Sequence, residues 1–405
     1  MRLLLLLLPV LFSVAAYGLD AVQLNRLATE AFHGGRYLQS LDYLRQAERQ
    51  SPYNEQIRRN LAEVLLAASG QSADRGDWDR SVALLQEGID RYPDDARFPL
   101  EQAGILLHLD RLSEAEVLAN SVLGIQPESV AARLILGRVY YQSGRLREAI
   151  DVWRKAADLD PEDRRISEML ARAEREYQVE AGMTRDYGPG FVLSYDDAAH
   201  GRLSQDILDV LNQAYIEVGS LLKHFPDQKV EVLVYTRRQF RQSTDSPDWA
   251  GGVYDGKIRI PLGGIEKMTE PLRALLFHEY AHVVVRRLSH GRCPVWFNEG
   301  IAEVMAAGQY SDGHVVPLRA TNMIPFEQLE DSWRDLGPVR ARMAYRQSRS
   351  FVGFLADNYG WHTIGDLLSV MAGGKKTDQA FAEVFGDYGL DFAGIVETWR
   401  RRELD

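Results

Sequence analysis

Two histidines four residues apart, in His278-Glu279-Tyr280-Ala281-His282, carry the first chemical signal in the chain. In a helix, residues at that spacing lie one above the other on a single face, so both imidazoles can turn toward one metal ion. Glu279, one step around, is placed to hold a water beside that ion and take its proton, the role that the H-E-x-x-H pattern gives its glutamate. Two imidazoles leave a catalytic zinc one protein ligand short. The stretch Trp296-Phe297-Asn298-Glu299-Gly300-Ile301-Ala302-Glu303 offers the candidate. Glu299 opens a second helix-like run after a break at Gly291 and Pro294, long enough for the chain to turn back antiparallel. Glu303, four residues on, shares its face and can orient a ligating histidine. The plainer alternative is two surface histidines on an amphipathic helix. It accounts poorly for His278 among Leu275, Leu276, Phe277, Val283 and Val284, where an imidazole needs a partner for each nitrogen.

Together the two stretches resemble the gluzincin metallopeptidases, the group of thermolysin and the zinc aminopeptidases, and more closely the bacterial peptidase MA-like domains. There H-E-x-x-H is followed by an Asn-Glu-Gly or Glu-Gly-x-Ala stretch whose first glutamate is the third zinc ligand; His278, Glu279, His282 and Glu299 match residue by residue. The resemblance implies an α+β, thermolysin-like catalytic domain and one zinc ion per chain. It implies peptide-bond hydrolysis by a metal-activated water with Glu279 as general base. The Gly-Ala-Met-Glu-Asn motif of the aminopeptidases is absent, so exopeptidase action is not implied. Gluzincins also place a tyrosine or histidine beyond the second helix to stabilise the oxyanion, a contribution of about 2.7 to 4 kcal/mol per donor. Tyr345, in the helical run from Ala344 to Val352, is the candidate, with a core tyrosine as its alternative.

The elements that must hold these residues are legible around them. A first helix runs from Thr269, an N-cap with Pro271 in its first turn, to about Leu288; a second runs from Pro294 to Ala307 and ends at Gly308. Ahead of them, Trp249 to Pro261 reads as two strands joined near Asp255-Gly256. By the same resemblance the strand before the metal helix is an exposed edge that takes the substrate backbone as an extra strand. Gly251, Gly252 and Val253, within Gly251 to Tyr254, are candidates for that role, and Lys257 to Ile260 is the alternative. A turn-rich boundary at Asp186 to Gly190 precedes a strand at Phe191 to Tyr195, a helix from about Leu203 to Lys223, an alternating strand through Val230, Val232 and Val234, and a short helix from Arg237 to Ser243. After an irregular Ser311 to Leu336, helices close the domain, which spans 184–405.

The preceding part, 20–180, repeats itself. Leu136-Gly137, Tyr140-Tyr141, Gly144, Ala149, Trp153, Ala156 and Pro161 resemble the tetratricopeptide repeat (TPR), and Pro127 and Pro93 lie back from Pro161 at steps of 34 residues. The longer step from Pro93 back to Pro52 implies an insertion around Ser69 to Asp77. Such repeats are helical hairpins that bury their apolar faces only by stacking. Four units give roughly eight helices, and Arg165 to Gln178 reads as the capping helix. The array offers a concave surface for a protein or peptide, or is a spacer packed on the catalytic domain.

Met1-Arg2, an apolar run from Leu3 to about Phe12 and the small residues to Gly18 have the plan of a signal peptide, spanning 1–18. The expected location is therefore exported, periplasmic or secreted, an uncleaved anchor being disfavoured because the run is short against the roughly 20 residues of a spanning helix. A net charge of -11 argues against a nucleic-acid partner. The lone Cys293 excludes an intramolecular disulfide framework. A multidomain protein follows: a TPR solenoid and a zincin-like hydrolase. The competing class is a repeat-based assembly or chaperone scaffold whose zinc domain is vestigial or structural.

Overall fold

The computed structural model describes residues 19–243, 253–254, 256–308, 318, 323–333 and 336–403. The expected signal segment 1–18, Gly251 and Gly252 lie outside them. The chain forms two compact units, Met1–Gln102 and Ala103–Asp405.

The described part of the first unit is helical. It contains α1 (Ala21–His33), α2 (Tyr37–Gln50), α3 (Glu55–Asp74), α4 (Trp78–Arg91) and the start of α5 (Arg97–His108). Local chemistry sets the ends. Asp20 accepts from the Gln23 amide while the Gln23 side chain accepts from the Asp20 amide, a reciprocal cap on α1. Asn54 caps α3. The hairpin turns pass through Gly35 and Gly76 at φ 69° and 76°, a left-handed conformation that a side chain would penalise. The insertion lengthens a helix rather than a turn, since α3 has 20 residues and α5 has 12.

The second unit begins with α6 (Leu112–Ile125), α7 (Val130–Gln142), α8 (Leu146–Leu159) and α9 (Arg164–Glu180). Gly137 lets α7 and α8 approach closely, for a Cβ there would lie 2.0 Å from the Trp153 indole nitrogen. The chain then enters a sheet. β1 (Thr184–Tyr187), whose last two residues begin the stretch expected to be a turn-rich boundary, pairs antiparallel with β2 (Phe191–Tyr195). After α10 (Asp197–His200) and α11 (Ser204–Leu222) come β3 (Val230–Tyr235), α12 (Arg237–Ser243), β4 (Val253–Tyr254) and β5 (Ile258–Pro261). The sheet order is β1-β2-β3-β5-β4, with β2, β3 and β5 parallel and the outer strands antiparallel.

One sheet face is apolar. Val230, Val232, Val234, Ile258 and Ile260 join Leu211, Val218, Leu276 and Phe277 of α11 and α13 (Glu270–Leu288) in a single core. The opposite face carries Lys257 and Arg259, both buried, and α9 lies against it. α9, which contains the expected capping helix Arg165 to Gln178, thus turns carboxylates inward: Glu176 and Glu180 are 0% and 7% exposed. The reason is that a sheet has two faces to cover, and this one presents cations that need carboxylates.

Behind α13, α14 (Val295–Ala307) and α15 (Pro338–Tyr359) pack together, followed by α16 (Trp361–Ala372), α17 (Thr377–Phe385) and α18 (Phe392–Glu403). α15 starts six residues earlier than the expected Ala344, because Pro338 occupies its first turn, where a missing N–H costs nothing. The architecture is a helical repeat region followed by a helix-dominated domain around a small mixed sheet.

Candidate metal centre

α13 is built as its sequence demands. The Thr269 hydroxyl accepts from the Leu272 amide, a proline sits in the first turn, and the helix ends at Leu288. Leu272, Leu276, Phe277, Tyr280, Ala281 and Val283 to Val285 are buried, which fixes the rotation of the helix and turns His278, Glu279 and His282 toward α14. Pro294 leaves α14 without a side-chain cap. Its first amides are satisfied across space instead, Val295 N donating to the Glu330 carbonyl at 2.9 Å and Trp296 N to the Leu329 carbonyl at 3.0 Å. Trp296 is fully buried among Phe297, Phe326, Phe351 and Phe392, at ring centroid distances of 4.7 to 5.8 Å. Gly300 permits close packing on α15; a Cβ there would meet the Ser348 carbonyl oxygen at 2.7 Å.

His278, His282 and Glu299 are thereby brought together, with one ligand atom from each within 4.8 Å of the others. The two Nε2 atoms are 3.1 Å apart, and Glu299 Oε2 lies 3.5 Å from that of His278 and 3.6 Å from that of His282. Tetrahedral zinc with bonds near 2.0 to 2.1 Å separates its ligand atoms by about 3.3 Å, so the triangle has the right size. The outer nitrogens are held as well. His282 Nδ1 is 3.0 Å from Asn298 Oδ1 and His278 Nδ1 is 3.4 Å from Glu303 Oε1. Both partners accept, which places the Nδ1 protons on their side and leaves the Nε2 lone pairs facing inward. Glu279 Oε2 and Glu299 Oε2 are buried without a hydrogen bond, as expected of oxygens awaiting an ion and a water. The donor set fits zinc.

The electrostatics agree. Burial disfavours the His278 imidazolium, but the adjacent Glu299 carboxylate and the charges of Glu279 and Glu303 outweigh it and lift the pKa to about 9. Burial raises the Glu279 carboxyl, with the two histidines pulling it back. At Glu299 burial also pushes up, and the His282 charge and the neighbouring His278 more than reverse it. Glu303 is raised by burial and by Glu299, against the pull of His278 and Arg349.

Tyr345, half-buried on α15, stands edge-on to Trp333 with ring centroids 5.0 Å apart. Burial, then the charges of Glu299, Glu303 and Glu279, raise its pKa well above the ordinary value. The phenol therefore stays neutral in the field of these carboxylates. Val253 lies in β4, the last strand of the sheet beyond β5 among the described residues. In the alternative substrate edge, Lys257 to Ile260, β5 pairs with β3 on one side, and on the other Ile258 and Arg259 pair with β4. Asn298 is the contact that sequence reasoning left without a role, although it immediately precedes Glu299.

Residues 211–403 match the family model of the Peptidase MA superfamily, and residues 73–130 and 106–173 match two models of the tetratricopeptide repeat. Among solved structures, MamA from Desulfovibrio magneticus is 22% identical, covering 40% of this chain and 88% of that one, at a TM-score of 0.33. The first TPR domain of the human RPAP3 protein is 19% identical, covering 28% and 90%, at 0.27. A thermophilic TPR protein of Thermus thermophilus is 20% identical, covering 38% and 99%, at 0.24. No curated protein compared with the chain matches it. The chain therefore carries a Peptidase MA superfamily domain behind tetratricopeptide repeats.

Proposed function

We propose that the chain is an exported zinc-dependent peptidase that hydrolyses peptide bonds within proteins or peptides, with the repeats serving as a protein-binding surface. The observation that carries this reading is the convergence of His278 Nε2, His282 Nε2 and Glu299 Oε2 beside the unpartnered Glu279 Oε2. A bound zinc ion would supply Lewis acidity, drawing the pKa of water toward 7 and polarising a carbonyl. The protein supplies the rest. Glu279 Oε2 takes the proton of the attacking water and returns it to the leaving amine. The Tyr345 phenol donates to the developing oxyanion. Asn298 and Glu303 hold the two imidazoles in position, and β4, which pairs only with β5 among the described residues, receives an extended substrate backbone along its other edge.

Export rests on the charged and apolar pattern of residues 1–18. Among the described residues no helix is long and apolar enough to cross a membrane. The test is a metal analysis of the purified protein with a peptide-cleavage assay on wild type and Glu279→Gln. One zinc per chain, activity lost to chelator and a metal-loaded but inactive variant are expected. Zinc without turnover favours a scaffold, and a protein that takes up no metal ends the proposal.

A further inference from the structure

Two fully buried cations lie on the sheet face turned away from the apolar core. Arg259 Nη2 donates to Glu176 Oε2 and to the Tyr141 hydroxyl, each at 3.0 Å, and Tyr141 donates to Glu176 Oε1 at 2.7 Å. Lys257 Nζ is 3.7 Å from Glu180 Oε2, and Oε1 of the same carboxylate accepts from the Tyr235 hydroxyl at 3.0 Å. The same ammonium sits 4.9 Å from the Tyr141 ring centroid. Arg259 and Lys257 are 0% and 1% exposed. Their partners come from α7 and α9, helices of the last repeat and its successor.

Arg259 also occupies a particular place in the sheet. Its backbone is the register partner of Leu233 in β3 and of Val253 in β4. β4 has β5 as its sole strand neighbour among the described residues, so wherever β5 is held, β4 follows. We infer that Arg259 and Lys257 are positioning residues through which α7 and α9 fix the register of β5 and hence the free edge that receives substrate, making the last repeat part of the cleft. For its kinetic consequence this rests on the peptidase reading.

The energetics explain why the joint is ionic. A buried ion pair replaced whole by apolar side chains of similar volume is often no less stable, whereas losing one partner is costly. Stability alone would be served by leucines. An ionic joint adds register: sliding β5 by one residue turns Ile258 or Ile260 toward Glu176 and Glu180, taking Lys257 from Glu180 and Arg259 from Glu176, which keeps only the more exposed Arg172 of its own helix at 3.0 Å. The planar guanidinium, engaging Glu176 and Tyr141 at once, accepts one geometry.

The test replaces the buried members of the Arg259 cluster together, with Glu176→Met, Arg259→Met and Tyr141→Phe in the full-length chain and the more exposed Arg172 kept, and reads hydrogen exchange, thermal midpoint and peptide kinetics. A midpoint within a few degrees of wild type is expected. Amide exchange should be about tenfold faster in peptides covering β4 and β5 and unchanged in α13 and α14. KM should rise about tenfold with kcat within about twofold. Tyr141→Phe alone, which keeps the charges paired, should move exchange and KM the same way by about threefold, and it decides the matter if the triple variant does not fold. Unchanged exchange in β4 and β5, or a fall confined to kcat, overturns the inference. A wild-type protein that cleaves no peptide would end the peptidase reading while the exchange data still decide the joint.

Discussion

At the scale of single residues, the metal centre is a competition between protons and an ion. His278 in the metal-free protein has its pKa raised to about 9 by the surrounding carboxylates, and the lone pair that holds a proton cannot hold zinc. Zinc uptake near pH 7 should therefore release about one proton from this imidazole, and apparent affinity should rise about tenfold per pH unit up to about pH 9. Calorimetry in buffers of different ionisation enthalpy measures both. A raised folded-state pKa also means that the metal-free protein has the full benefit of this charge below the unfolded value of about 6.5 and loses it as pH rises through about 9. Its thermal midpoint should fall across that window, and a midpoint flat from pH 6.5 to 9 would refute the assignment. Asn298→Ala and Glu303→Ala each remove the group behind one imidazole. They are expected to weaken zinc binding about 10- to 100-fold, read by competition with a chromogenic chelator.

At the scale of elements, the third ligand depends on how α14 is anchored. Glu299 sits one turn into a helix whose first amides are capped by Leu329 and Glu330 carbonyls and whose Trp296 is packed in an aromatic cluster. Trp296→Ala should cost about 3 to 5 kcal/mol of stability, measured by urea unfolding. It should also lower zinc affinity, because Glu299 loses the support of its own helix. Full zinc affinity in that variant would show that α13 alone organises the site. The bounds of α13 and α14 were readable because a threonine, two prolines and a glycine mark them. The early start of α15 was not, because Arg340 and Arg342 break any apolar period ahead of Ala344.

At the scale of the molecule, the later repeat helices share a compact unit with the sheet. The second compact unit begins at Ala103, and α9 belongs to the sheet as much as to the repeats. A chain starting at Thr184 would lack α9 and open to water the sheet face on which Leu233, Tyr235, Lys257 and Arg259 are buried. Exposing a large apolar side chain costs about 1.5 to 3 kcal/mol against a total stability of about 5 to 15 kcal/mol. That fragment is expected to show no cooperative thermal transition by circular dichroism, whereas one starting at Ala103 should unfold cooperatively. Equal behaviour of the two would show that the sheet does not need α9.

The candidate centre and the helices that carry it were legible in the chain before any fold was known. His278, Glu279, His282, Glu299 and Glu303 follow from spacing along two helices, and helical periodicity is a local property. The repeats were legible for the same reason, since each recurs within about 34 residues. Whatever depends on distant pairing had to wait for the folded molecule: that β4 lies beyond β5 among the described residues, that Asn298 rather than a carboxylate holds His282, and that the polar face of α9 meets buried cations. Glu176 and Arg259 are 83 residues apart in sequence. A glutamate on a helix and an arginine in a strand look solvent-exposed until the sheet brings them together.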